Sequence, residues 1–119
     1  MLCFDTYALI EIRKGNQAYI KLLDEEFLIT DLTIAEFYVT LYKEGEEPSA
    51  KIWCSKFVHN CVPVDKEILI KALKYRQDNK KENLSVFDAI GYIFALEHGY
   101  TFVTGDKAFE GKKGVLFVK

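Results

Sequence analysis

Four acidic residues, Asp5, Glu36, Asp88 and Asp106, stand out by where they fall in the chain. Asp5 closes the short apolar run Leu2-Cys3-Phe4, and a charged side chain ending a buried strand is not needed for packing. Asp106 follows a second apolar run through Thr104-Gly105. Glu36 and Asp88 each come three residues after a hydroxyl residue, Thr33 and Ser85, which is capping-box spacing. Taken singly, these two read as caps that satisfy backbone N–H groups and oppose the positive end of a helix. Asp106 alone reads as a turn residue after glycine. Taken together, the four could form one divalent-cation site. Two carboxylates about 4 Å apart repel by about 4 kcal/mol at an effective dielectric near 20, so a cluster needs a cation or shared protons. Mg²⁺ and Mn²⁺ prefer oxygen ligands. A site of this kind suits attack of water on a phosphodiester. Helix N-termini beneath Glu36 and Asp88 are expected to help keep both acids ionised.

These acids must be positioned by an alternation of apolar runs and amphipathic segments. Strands are expected over residues 1–4, 27–30, 61–64, 101–103 and 115–118. A helix is expected over residues 6–12, ended near Gly15. Asn16 can cap a second, with Ala18, Tyr19, Leu22 and Leu23 on one face. Thr33 should start a third that stops by Gly45, and Pro48 a fourth carrying Ile52, Trp53 and Phe57. Asp65 caps a long helix with Ile68, Leu69, Ala72, Leu73 and Tyr75 inward. Ser85 caps a last one, with Phe87, Ile90, Ile93, Phe94 and Leu96 apolar and Gly99 as its stop. Such alternation implies an α/β domain whose mainly parallel sheet is covered on both faces. Ligands of open parallel sheets sit beyond the carboxyl ends of the strands, which points at Asp5 and at Thr104-Gly105-Asp106.

The 119 residues are 50% hydrophobic and 29% charged, which suits a single folded domain over residues 1–119. Apolar runs fall far short of the roughly 20 residues a membrane helix needs. An acid at Asp5 comes too early for a signal peptide. A net charge of −2 argues against a bulk nucleic-acid coat but allows a nuclease with a local acidic site. With the four acids set aside, 16 positive charges face 14 negative ones, compatible with a polyanion approaching a metal-filled site. Cys3, Cys54 and Cys61 are odd in number and lack a Cys-x-x-Cys pair. They read as reduced thiols of a cytoplasmic protein.

The ordered fragments Leu2-Cys3-Phe4-Asp5-Thr6-Tyr7-Ala8-Leu9-Ile10, Thr33-Ile34-Ala35-Glu36-Phe37, Ser85-Val86-Phe87-Asp88-Ala89 and Thr101-Phe102-Val103-Thr104-Gly105-Asp106 resemble a known family. The acids within them are separated by 31, 52 and 18 positions. The chain resembles the PIN domains, and most closely the small VapC-type toxin ribonucleases of prokaryotes. That resemblance implies a three-layer α/β/α sandwich around a mainly parallel sheet of about five strands. It implies that Asp5, Glu36, Asp88 and Asp106 are the catalytic, metal-binding quartet, with Thr6 and Thr104 as supporting hydroxyls. It further implies Mg²⁺ or Mn²⁺ dependence, RNA cleavage, an antitoxin partner and a homodimer. Many relatives carry another acid just before the phenylalanine matched by Phe109, and Ala108 stands there. That departure bears on a second metal more than on the first.

Other features are weaker. The stretch from Gly105 to Lys113 looks like a phosphate-binding loop, but its glycines are one residue too far apart and it lacks the metal-binding hydroxyl. Asp5-Thr6-Tyr7 lacks the second aspartate of a dehalogenase-like phosphatase. Lys107, Lys112 and Lys113 flank Asp106 and are candidates for substrate phosphate. The run Lys71, Lys74, Arg76, Lys80 and Lys81 reads first as a solvated helix face. His59 and His98 read as ordinary surface residues, and Trp53 with Phe57 as core. The alternative to a nuclease is a non-catalytic PIN-like module that binds RNA or protein.

Overall fold

The computed structural model describes residues 1–119. Five strands form one sheet: β1 (Leu2–Phe4), β2 (Phe27–Thr30), β3 (Cys61–Val62), β4 (Thr101–Thr104) and β5 (Val115–Phe117). Their order is β3-β2-β1-β4-β5, and every pairing is parallel. Six helices connect them: α1 (Thr6–Lys14), α2 (Gln17–Ile20), α3 (Asp31–Lys43), α4 (Glu47–Phe57), α5 (Lys66–Asp78) and α6 (Val86–His98). The chain steps outward from β1 to β3, then returns across the sheet to β4. Right-handed crossovers put outgoing and returning helices on opposite faces.

The side-chain period of two shows which helices cover which face. Leu2, Phe4, Ile29 and Val103 pack with residues of α1 to α4, including Leu9, Tyr19, Phe37 and Phe57. Cys3, Leu28 and Phe102 point the other way, into a cluster with Ile68 and Ala72 of α5 and much of α6. The three-layer α/β/α arrangement expected from the sequence is therefore present, with a wholly parallel sheet. Helix α6 is buried at seven successive positions, residues 89–95. It approaches the sheet closely at Gly91, where a Cβ would stand 3.1 Å from the Phe102 ring.

Several expectations need correction. Helix α3 begins at Asp31, because Thr30 and not Thr33 is its cap: the Thr30 hydroxyl accepts the Thr33 N–H at 3.1 Å. The helix expected after Asn16 breaks into α2 and a 3-10 turn, Lys21–Asp24. Strand β3 spans two residues, not four, and lies at the sheet edge just before Pro63, which lacks an N–H. Leu73, expected inward on α5, is exposed. Phe87, expected with the apolar residues of α6, is also exposed. Trp53 stacks on buried Phe57 and belongs to the core margin as expected.

Phe102 is fully buried and meets Tyr92, Phe109 and the Gly91 backbone. Phe102→Ala is expected to cost about 3–5 kcal/mol through lost burial and a residual cavity. Urea denaturation should show a lower midpoint with an unchanged slope.

Candidate active site

Strands β1 and β4 are neighbours whose onward connections diverge, so the sheet opens beyond their carboxyl ends. Asp5 leaves β1 there and Asp106 leaves β4 two residues beyond its end. Both line one cleft together with Glu36 and Asp88. The four acids singled out in the sequence are thus brought to one place.

Each is held differently. Asp5 is the N-cap of α1 and is 5% exposed. Its Oδ1 accepts the Thr6 N–H at 2.8 Å, and its Oδ2 accepts the Thr104 hydroxyl at 2.7 Å. Asp5 is therefore also a helix cap, where the sequence marks it only as an acid that packing does not need. Capping alone does not require a charge, because asparagine, serine or threonine caps as well. The buried carboxylate still calls for another reason. Thr104 Oγ1 also accepts the Asp106 N–H at 3.1 Å, so one hydroxyl ties the two strand-end acids together. Asp106 in turn caps a 3-10 turn, accepting the Ala108 N–H at 3.0 Å. Between them, Gly105 has no room for a side chain: a Cβ would collide with the Tyr7 ring and the Val118 carbonyl.

Glu36 lies in the second turn of α3, beyond reach of the helix N-terminus it was expected to cap. Its Oε1 accepts the Thr6 hydroxyl at 2.5 Å. Asp88 forms the expected capping box: its Oδ2 accepts the Ser85 N–H at 3.1 Å, and Ser85 Oγ accepts the Asp88 N–H at 3.0 Å. Burial pushes the Asp5 carboxyl up to about 7, with the charges of Asp88 and Glu36 adding to it against the bonds from Thr104 and Thr6. Burial likewise raises Glu36, with Asp88 adding. It raises Asp88 too, with Asp106 adding against the Ser85 bonds. Burial and neighbouring charge thus work against the help expected from the helix ends at Glu36 and Asp88.

Besides Thr6, four further residues line the cleft: Tyr7, Ile10, Glu11 and Lys14. They recur at helical spacing from Tyr7, on the side of α1 away from its buried Ala8, Leu9 and Ile12. That stripe was readable in the sequence but went unread. The three lysines after Asp106 lie outside the cleft lining. Lys112 is committed elsewhere: its Nζ donates to both Glu82 oxygens at 2.9 Å and to the Tyr75 hydroxyl at 2.7 Å. Lys107 and Lys113 are exposed. Of the basic run on α5, Lys71 pairs with Glu97, and Arg76 Nε donates to the Leu84 carbonyl.

No three acidic, histidine or cysteine side chains stand close enough here to hold an ion jointly. Mg²⁺ does not need such a cage, since it keeps several waters and takes one or two carboxylates plus substrate phosphate. An all-carboxylate donor set in which neighbouring charge raises Asp5, Glu36 and Asp88 fits a hard divalent cation.

The PIN domain family pattern matches residues 2–114, and the chain belongs to that family. PIN domains are typically nucleases and generally use divalent metals. A chain of a toxin–antitoxin complex from Klebsiella pneumoniae is similar at 27% identity and a TM-score of 0.76, with 98% of this chain and 96% of that one covered. VapC20 of Mycobacterium tuberculosis, a sarcin-ricin loop cleaving toxin, is 12% identical with a TM-score of 0.84, covering 100% and 99%. VapBC2 from Rickettsia felis, bound to a DNA fragment from its promoter, is 14% identical with a TM-score of 0.77, covering 98% and 96%. No curated protein matches the chain by sequence.

The raised Asp5 carboxyl makes stability depend on pH. Below about pH 4 the group is protonated in the folded and unfolded chain alike, and it costs nothing. As pH rises toward about 7 the unfolded chain loses the proton first, so the metal-free fold loses stability. Asp5→Asn keeps the cap and removes the charge. At pH 8 without metal it is expected to stabilise the fold by at least roughly 1 kcal/mol, a Tm rise of about 3–6 °C. That gain should vanish at pH 4, and scanning calorimetry at both pH values checks it.

Proposed function

We propose that the chain is a Mg²⁺- or Mn²⁺-dependent endoribonuclease acting as the toxin of a toxin–antitoxin pair in the cytoplasm. The observation that carries this reading is the meeting of four carboxylates in one cleft at the strand ends of a PIN fold. Asp5, Asp88 and Asp106 would hold the ion, one or two of them directly and the rest through its waters, with Glu36 completing the site directly or through water. When bound, the ion supplies an activated water and offsets charge on the phosphate.

The remaining work falls to this chain's own side chains. Thr104 keeps Asp5 and the Asp106 backbone in register through one hydroxyl. Thr6 holds Glu36 by Oε1 and leaves Oε2 without a protein partner. Glu36 Oε2 is then the atom free to take a proton from the attacking water. Ser85 fixes the Asp88 carboxylate at the start of α6.

The toxin role draws on the likeness to a chain of the Klebsiella pneumoniae toxin–antitoxin complex. In this reading an antitoxin inserts a basic side chain among the acids. The protein pairs as a homodimer, which light scattering after size exclusion would register as twice 13.7 kDa.

A panel of labelled single-stranded RNAs, incubated with EDTA, Mg²⁺ or Mn²⁺, tests the enzyme. Cleavage should require metal. It should fall at least about 100-fold in Asp88→Asn, since even groups that merely support a metal ligand are worth 10–100-fold. Mn²⁺ at about 100 times its Kd should stabilise the wild type by about 2.7 kcal/mol and leave Asp88→Asn nearly unmoved. Cuts that persist in the variant refute the assignment of the site. RNA binding without metal-dependent cutting assigns the chain to the non-catalytic alternative.

A further inference from the structure

A second hollow opens beside the acid cleft and shares one residue with it, Glu36. It runs along α3, where Val39, Thr40 and Lys43 follow Glu36, and Phe87 of α6 closes its side. Two features of it have no structural account. Val39 is 48% exposed and Phe87 is 37% exposed, although an exposed phenylalanine at the start of a buried helix gains the fold little. Lys43 makes no ion pair. On the other side, the acid cleft runs along α1 to Lys14, whose side chain is 64% exposed and has only a 3.6 Å contact to Glu11. Each lysine thus ends a furrow that leaves the carboxylates along a helix. Seven residues separate Glu36 from Lys43, about 10 Å of helix.

We propose that the base beside the scissile phosphate stacks on Phe87, with Lys43 and Lys14 contacting the flanking phosphates. This rests on the nuclease reading and assigns the side chains of this chain that grip the strand. An aromatic face together with exposed cations along the backbone is how proteins hold single strands without reading sequence. The position follows from continuity. A strand with one phosphate at the acids must continue along α3 or α1, and the α3 furrow meets it with a ring. In a duplex the base faces are already stacked, so Phe87 would have nothing to bind.

The test is fluorescence anisotropy with a labelled unpaired oligoribonucleotide and, separately, its duplex, in Ca²⁺, with intact RNA verified on a gel. Stacking on an aromatic ring is worth about 1–3 kcal/mol, so Phe87→Ala should weaken binding of the unpaired strand about 5- to 150-fold. Phe87→Trp should restore it. Lys43→Ala and Lys14→Ala should each lower the dependence of log affinity on log salt by about 0.7. The duplex should bind weakly and ignore Phe87. A Mn²⁺-induced Tm shift equal in Phe87→Ala and wild type separates the effect from damage to neighbouring Asp88. Unpaired-strand affinity that ignores Phe87, in a protein that cuts RNA with metal, overturns this proposal alone and leaves the furrow to a protein segment. A wild type that neither binds nor cuts any RNA overturns the nuclease reading as well.

Discussion

The structure turns on one buried carboxylate. Asp5 sits where β1 gives way to α1, almost without solvent, next to a strand that belongs to the other end of the chain. Burying a charge is costly unless it is bonded or neutralised. Here the Thr104 hydroxyl and the Thr6 N–H satisfy one oxygen each. Those two bonds tie the start of α1 to the end of β4. They do not cancel the cost, since burial and neighbouring charges still hold the carboxyl well above the ordinary carboxylate range. The fold is built to carry that burden, with β1 central in the sheet and both cores pressed against it.

The other three acids are graded by how they are supported. Asp88 and Asp106 are caps, so backbone N–H groups fix them wherever the helix or turn forms. Glu36 is no cap. It is held by Thr6, the residue next to Asp5. The hydroxyl pair Thr6 and Thr104 therefore does in side chains what capping does in backbone. Replacing either by a residue of similar shape without the hydroxyl leaves a buried or half-buried acid oxygen unbonded.

Much of this could be read from the chain. Leu2-Cys3-Phe4, Phe27-Leu28-Ile29-Thr30 and Thr101-Phe102-Val103 are short, apolar and bounded, and each is a strand of a parallel sheet. Ser85 and Asp65 announced their helices because capping is local chemistry. The failures were also local rules overruled from outside. Thr33 has the right spacing to Glu36, but Thr30 takes the cap and buries both hydroxyls together. Leu73 has helical period on α5, yet nothing covers that side of the helix. Lys112 lies close to Asp106 in sequence, but Tyr75 and Glu82, 37 and 30 residues away, claim its amine. Partners across the fold are invisible to spacing.

Helix ends weigh little in a site of this kind. A helix N-terminus favours an anion by about 0.3–1 kcal/mol at a surface. Repulsion between two carboxylates about 4 Å apart is several times larger even at an effective dielectric of 20. Once Asp5, Glu36, Asp88 and Asp106 line one cleft, desolvation and neighbouring charge raise Asp5, Glu36 and Asp88, and the dipole is a correction. Protons or a cation must then supply the balance, and the two compete for the same oxygens. An arrangement of this kind favours its metal-bound form as pH rises, which is where free carboxylates cost the fold the most.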